Sequence, residues 1–275
     1  MRKINNKILG VTGIAIIILV FSVKVAYASL ININKDMQYL WIKSKPIAHR
    51  GLHNDKYPEN SIGAFNNAVK NRYAIELDVY FTKDNKIVVI HDNNLKRLTG
   101  KDVNVKDVTY DELKKLTLIE SKETIPLLSQ VLREVNGKEP ILIEIKTDNN
   151  AVSLGEAVYR ELQGYKGQWA IQSFNPAVID WYANNAPHIF RGILIGSLKG
   201  KDNLMIYNKY IINSYKKPDF ISIDVCGIDD YRIEQLRSEG MIVLSWTIRS
   251  EDEAKKARVY SDNIIFESFI PHNIS

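Results

Sequence analysis

The sequence has a single cysteine, Cys226, among 275 residues. One cysteine excludes an internal disulfide in the monomer and any metal site built from several thiolates. We expect it to fill core space beside a strand. The sequence also lacks internal repeats, low-complexity tracts and a glycine-rich phosphate loop, so neither a repeat architecture nor that type of phosphate site is indicated.

Strong charge of one sign is missing from most of the chain. Residues 1–45 hold seven of the 37 Lys and Arg residues and one of the 32 Asp and Glu residues. The rest of the chain therefore carries 30 basic and 31 acidic residues. The formal net charge of +5 is therefore a property of the N-terminal segment. The balanced remainder gives no reason to expect a nucleic-acid partner.

Long hydrophobic runs are also scarce, and the one that exists lies at the N-terminus. Three basic residues precede a hydrophobic run over residues 8–23, which reaches Leu30 if Lys24 extends to the interface. A membrane span needs about 20 such residues. Ala26-Tyr27-Ala28 also resembles a signal-peptidase site. Residues 1–30 are thus predicted to be a membrane anchor or a signal peptide, with the anchor favoured.

The basic flank of this run predicts orientation, because basic flanks stay in the cytoplasm. We therefore expect a cell-membrane protein whose remaining chain is extracytoplasmic, or a secreted protein if the leader is cleaved after Ala28. Residues 31–45 are interpreted as a polar connector.

From residue 46 onward, strand and helix patterns alternate over some 230 residues. Such alternation predicts a parallel α/β fold, and the length suits a barrel of eight units. The patterns give nine strands, so the strand near Lys86 or the one near Phe220 is not expected to be a regular stave. Residues 93–125 interrupt the alternation.

The most informative stretch runs from Ile47 to Asp92. Its strand 74–79 carries Glu76 and Asp78 at alternate positions, so both carboxylates project from one face. Two carboxylates on one face of an otherwise apolar strand are costly to bury unpaired. A hard divalent cation relieves that cost most simply, which predicts Mg²⁺ or Ca²⁺.

A second strand ends in His91, and the link from Val79 to Lys86 is too short for a crossover helix. If Asp84-Asn85 centres a hairpin, His91 lies opposite Asp78. This arithmetic brings a histidine to the carboxylates.

These motifs together resemble the glycerophosphodiester phosphodiesterase family. In chain order, the motifs and their first residues are His-Arg-Gly from residue 49, Pro-Glu-Asn from 58, Glu-x-Asp from 76, His-Asp from 91, Glu-x-Lys from 144, Ser-Phe from 173 and Trp-Thr from 246. The resemblance covers residues 46–270 and implies a distorted (β/α)8 TIM barrel over 46–275. It also implies that residues 93–125 are a small insertion after the second conserved histidine, forming part of the substrate wall.

The resemblance assigns roles to individual residues. It implies general acid and base catalysis by His49 and His91, and a single divalent metal held by Glu76, Asp78 and Glu144. Substrate and phosphate contacts or support are implied for Arg50, Lys146, Glu59, Gln172 and Trp246. Where the family's last strand often ends in Thr-Asp, this chain has Glu267-Ser268, so the resemblance does not carry over the substrate contacts at this end of the barrel.

The expected activity is metal-dependent hydrolysis of glycerophosphodiesters to glycerol phosphate and an alcohol. Two alternatives stay open. One is a lysophospholipase-D-like enzyme acting on membrane lysolipid. The other is a non-catalytic, membrane-tethered binding module on the same fold, since fold alone does not imply activity.

Overall fold

A computed structural model describes residues 39–146, 150–212 and 218–271. The predicted N-terminal anchor or signal peptide lies outside these residues. Every helix within them is too short or too polar to cross a membrane.

Eight parallel strands close into a barrel, as predicted. The strands are β1 Ile47–Ala48, β2 Ala74–Phe81, β3 Ile87–Val89, β4 Ile141–Ile145, β5 Trp169–Ser173, β6 Arg191–Ile195, β7 Phe220–Asp224, β8 Ile242–Ile248 and β9 Asn263–Phe266. Their order around the barrel is β1-β9-β8-β7-β6-β5-β4-β2, and β1 pairs with β2 to complete the circle. The ninth strand, β3, pairs antiparallel with β2 and stands outside the ring. Of the two strands that the sequence left in question, the one near Lys86 is therefore the irregular one.

Helices cover the outside of the barrel, except for two short ones, Lys96–Thr99 and Tyr110–Leu113, which lie in the insertion. They are α1 Trp41–Ser44, α2 Ile62–Lys70, α3 Lys96–Thr99, α4 Tyr110–Leu113, α5 Leu128–Val135, α6 Ala151–Glu161, α7 Pro176–Asn185, α8 Lys201–Ile206, α9 Tyr231–Ser238 and α10 Glu251–Tyr260. Short polar side chains begin several of them: Ser61 caps α2, Thr109 forms a capping box on α4, and Asn175 caps α7 ahead of a proline at the first position. Helix α1, within the predicted connector, was not expected from the sequence.

Strand β2 illustrates how the sequence positions the site. Ile75, Leu77 and Val79 are buried in the apolar layer between strands and helices. Glu76 and Asp78 alternate with them and therefore face the barrel interior. Active sites of such barrels lie at the carboxyl ends of the strands.

The hairpin register predicted from Asp84-Asn85 is wrong by one residue. The pairs are Val79 with Val89 and Phe81 with Ile87, and Ile90, not His91, bonds to Asp78. The turn has three residues instead of two, and Asn85 adopts a left-handed conformation with φ 57°, which asparagine tolerates. His91 follows the strand and reaches the site from that position.

The insertion has a small core of its own. Eight buried residues form it: Val88, Ile90, Leu95, Leu98, Val105, Leu113, Leu118 and Ile125. This cluster is separate from the main layer of the barrel and fixes the insertion beside β3.

Cys226, expected to be buried, is instead exposed in a short 3₁₀ turn after β7.

Candidate active site

A pocket of about 160 Å³ opens at the carboxyl ends of the barrel strands. Eight of the ten predicted site residues line it: His49, Arg50, Glu76, His91, Glu144, Lys146, Gln172 and Trp246. Asp78 is fully buried and Glu59 contacts Arg50. The structure therefore brings all of the predicted residues together.

The carboxylates of Glu76, Asp78 and Glu144 form a buried cluster, with one oxygen of each within 4.8 Å of the others. Asp78 and Glu144 are direct neighbours across the β2–β4 pairing. The Asn60 amide donates to Asp78 at 2.8 Å, and the Arg50 backbone N–H donates to Oε2 of Glu76 at 2.9 Å. That N–H reaches Glu76 from Arg50 in a left-handed conformation, with φ 55°.

Burial and mutual repulsion set the protonation of this cluster. Burial, with the charges of Asp78 and Glu144, raises the pKa of Glu76 well above its ordinary value. Burial likewise raises the pKa of Glu144 to about 7. For Asp78, burial acts in the same direction, but the charges of Lys146 and its other basic neighbours outweigh it and lower the pKa.

The residues fit a hard divalent cation. Oε1 of Glu76 is buried and has no hydrogen-bond partner, and an orphaned buried carboxylate oxygen is costly. Three carboxylates supply the oxygen ligands that Mg²⁺ and Ca²⁺ prefer. A cation here would satisfy the orphaned oxygen and relieve the repulsion that raises the pKa of Glu76.

Lys146 lies against this cluster. Its Nζ is 2.7 Å from Oδ1 of Asp78 and 2.7 Å from Oε1 of Glu144. These contacts hold its ammonium group at the pocket wall, and the residue as a whole is 8% exposed. They also raise the pKa of Lys146 despite its burial, so this side chain stays charged.

His49 is held by a residue that was assigned no role from the sequence. Its Nδ1 lies 2.6 Å from Oε2 of Glu267, which directly follows β9. Arg249 donates to the other carboxylate oxygen at 2.8 Å, and His53 lies 3.5 Å from Oε2. Burial lowers the pKa of His49, and the Glu267 bond opposes that effect. Burial would raise the pKa of Glu267, but the histidine bonds lower it far below its ordinary value.

His91 has an equivalent partner in the next residue. Its Nδ1 lies 2.6 Å from Oδ1 of Asp92. Burial lowers the pKa of His91. Asp92 is in turn bonded by Arg97, and these bonds outweigh burial and lower the pKa of Asp92 to about 2. Both histidines thus hold a carboxylate at Nδ1, which leaves Nε2 of each for proton transfer.

Arg50 and the turn around it are also fixed. Its guanidinium donates to Glu59 at 2.7 Å and lies 3.6 Å from Asp78. The following residue, Gly51, has φ 77°, and a Cβ there would lie 2.9 Å from the Ala64 backbone. A side chain at this position would displace helix α2 or the turn, which explains the glycine of the His-Arg-Gly motif.

Gln172 and Trp246 line the pocket from strands β5 and β8. The Ser222 hydroxyl donates to the side-chain oxygen Oε1 of Gln172 at 2.9 Å, and the Trp246 indole donates to the Ser222 backbone oxygen at 3.0 Å. Phe174, which belongs to the Ser-Phe motif but was assigned no role from the sequence, meets Trp246 edge-on, with the ring centroids 5.7 Å apart. The remaining unpredicted lining residues are Leu194, Thr247, Arg249 and Ile265.

A larger groove of about 800 Å³ lies on the other side of Glu267. The turn 51–55, the C-terminal residues 266–270 and two residues of the insertion, Ile119 and Glu120, line it. The insertion therefore borders a groove beside the pocket, and its predicted contribution to the substrate wall stays a prediction.

Known proteins with similar sequences and structures agree with this arrangement. The profile of the Glycerophosphoryl diester phosphodiesterase family matches residues 49–266. A glycerophosphodiester phosphodiesterase of Caldanaerobacter subterraneus is 30% identical over 239 residues, covering 82% of this chain and 94% of its own. Human lysophospholipase D GDPD1 is 39% identical over 139 residues, covering 46% of this chain and 43% of its own.

The fold also has solved counterparts. An Oleispira antarctica phosphodiesterase, determined with its product sn-glycerol-3-phosphate, superimposes with a TM-score of 0.73 at 21% identity. The match covers 83% of this chain and 94% of that chain. The likeness at this identity concerns the fold, whereas the profile match spans most of the barrel and contains every predicted site residue. The chain belongs to the glycerophosphoryl diester phosphodiesterase family.

Proposed function

We propose that this protein hydrolyses glycerophosphodiesters to glycerol phosphate and an alcohol, using one divalent cation. One observation carries the proposal most directly: the orphaned, buried Oε1 of Glu76 lies among three carboxylates in the same pocket as two carboxylate-held histidines. The relatives named above support the substrate class, since one is a glycerophosphodiester phosphodiesterase and another was determined with sn-glycerol-3-phosphate.

The chain's own residues divide the work of the reaction. Arg50 and Lys146 present fixed positive charge to the phosphate, with Arg50 offering a planar fork. One histidine takes a proton at Nε2 from the attacking hydroxyl or water, and the other gives a proton to the leaving alcohol. Each such transfer typically contributes about 10²- to 10⁴-fold to the rate. A cation held by Glu76, Asp78 and Glu144 would supply Lewis-acid charge toward a phosphate oxygen.

The protonation states suit the histidine that accepts a proton most directly. Burial lowers the pKa of both histidines below the ordinary value of 6.5, which favours a neutral ring at neutral pH. The histidine that acts as the acid must carry a proton at Nε2 before it can give one to the leaving alcohol. The carboxylates at Nδ1 stabilise the ring once it is protonated. The same groups serve attack by water and attack by a neighbouring glycerol hydroxyl.

The activity is tested with purified full-length protein and glycerophosphocholine, by measuring glycerol phosphate release. We expect turnover in the wild type and a loss of at least about 10²-fold in H49A and H91A, the lower bound for a general acid or base. H188A is the matched control, because His188 packs on Tyr159 and is not among the pocket residues. Wild-type turnover in H49A would contradict the assignment.

A lysolipid substrate is the second candidate, and the resemblance to human lysophospholipase D over 139 residues favours it. Comparing the turnover of glycerophosphocholine with that of lysophosphatidylcholine at equal concentration separates the two candidates.

We further propose that the leader holds the barrel at the extracytoplasmic face of the cell membrane. Protease added to intact cells should then digest the barrel, and protection of the barrel until lysis would contradict this orientation.

A further inference from the structure

Arg97, at the start of the insertion, bonds to two carboxylates at once. Its Nη1 and Nη2 donate to the two oxygens of Glu59 at 2.9 and 2.8 Å. Its Nε and Nη2 donate to the two oxygens of Asp92 at 2.6 and 3.0 Å. The side chain is half exposed, yet one planar guanidinium fixes both carboxylates in orientation.

Each of these carboxylates holds a residue of the pocket. Asp92 bonds to Nδ1 of His91 at 2.6 Å, and Glu59 accepts from Nη1 of Arg50 at 2.7 Å. A continuous chain of hydrogen bonds therefore runs from His91 through Asp92, Arg97 and Glu59 to Arg50. The two ends of this chain follow different strands, β3 and β1, and Arg97 joins them from helix α3 of the insertion.

We propose that Arg97 is a positioning residue that holds His91 and Arg50 in their working orientations, and that the insertion thereby contributes to the reaction. This inference rests on the proposed phosphodiesterase activity for its kinetic consequences. Without Arg97, the Asp92 carboxylate would keep only its bond to the His91 ring and could rotate about it. Glu59 would keep only its bond to Arg50. Groups that orient the ligands of a metal typically contribute about 10- to 100-fold, and we expect an effect of this size from a group that orients a catalytic histidine.

The geometry also distinguishes Arg97 from a general surface charge. The adjacent Lys96 on the same helix pairs with Asp102 at 3.1 Å, and both side chains are more than 60% exposed. A lysine at position 97 would offer one point charge and could not span both carboxylates with the same fork. The K96A variant is therefore a matched control, and R97K tests the need for the fork.

The kinetic test compares wild type, R97A, R97K and K96A with glycerophosphocholine. We expect kcat to fall about 10- to 100-fold in R97A, with R97K intermediate and K96A unchanged. Free guanidinium at tens of millimolar should restore part of the kcat of R97A, while sodium at the same ionic strength should not. An R97A kcat within twofold of wild type, or a loss that guanidinium fails to restore, would overturn the inference.

A second measurement keeps the inference separate from the proposed activity. Nitrogen-15 NMR of the histidine rings reports the bonding at Nδ1 without substrate. We expect R97A to shift the ring signals of His91 and to leave those of His49 unchanged, whereas K96A shifts neither. Unchanged His91 signals in R97A would refute the positioning role even if the wild type hydrolysed no glycerophosphodiester; an inactive wild type would by itself count against the proposed function only.

Discussion

Glu267 offers the sharpest single test of how the site works. Its carboxylate lies 2.6 Å from Nδ1 of His49, and its side chain is 13% exposed. The substitution Glu267→Gln keeps the size of the side chain but removes its charge. The protonated His49 that forms during proton transfer then loses its stabilising partner.

The expected magnitude follows from that contact. A hydrogen bond involving a charged group contributes about 1.5–3 kcal/mol, and each 1.36 kcal/mol changes a rate about tenfold. We therefore expect kcat to fall by about 10- to 160-fold in E267Q. The Glu267 bond raises the pKa of His49 against burial, so its removal should also move the His49 limb of the pH–rate profile to lower pH.

The assay is the pH dependence of glycerol phosphate release, with E267D and E234Q measured beside E267Q. E267D keeps the charge on a shorter side chain and should recover part of the rate. Glu234 is exposed on α9, so E234Q should behave as wild type. A kcat within twofold of wild type in E267Q, or a limb that moves to higher pH, would refute the reasoning.

Three further predictions concern stability and charge. Leu77→Ala, in the buried layer behind the carboxylate cluster, should lower the free energy of unfolding by about 2–5 kcal/mol, measured by urea denaturation; a cost below about 1 kcal/mol would place Leu77 outside the packed core. Lys146→Met should raise KM and lower kcat with glycerophosphocholine, since Lys146 carries charge at the pocket wall; unchanged kinetics would exclude it from phosphate contact. Asp92 has a pKa lowered to about 2, so its contribution to stability is present above its ordinary value of 3.8 and is lost as the pH falls through 2. The stability difference between wild type and D92N should accordingly shrink from pH 7 to pH 3, and a difference that grows would contradict the sign.

Local patterns predicted the barrel and the shared face of Glu76 and Asp78, whereas the resemblance to the family supplied the roles of most other pocket residues. Alternation along β2 placed Glu76 and Asp78 on one face. The short link after Val79 excluded a crossover and predicted the hairpin. The His-Arg-Gly and Glu-x-Lys motifs each end a strand, and the carboxyl ends of barrel strands share one face.

The contacts that escaped prediction depend on closure of the fold. His49 and Glu267 are 218 residues apart in sequence and meet because β1 pairs with β9. Arg97 and Glu59 are 38 residues apart and meet across the folded insertion. The predicted hairpin register was wrong for a local reason. A three-residue turn with a left-handed Asn85 shifts the partner of every paired residue by one position.

Metal dependence is the central claim, and one experiment tests it most directly. Purified full-length protein is treated with a chelator, and glycerol phosphate release from glycerophosphocholine is measured before and after Mg²⁺ or Ca²⁺ is restored, with E76Q in parallel. We expect turnover to disappear with chelator and return with one of the two cations, while E76Q stays inactive throughout. Turnover that persists in chelator, or an E76Q variant as active as wild type, would contradict a cation site at Glu76, Asp78 and Glu144.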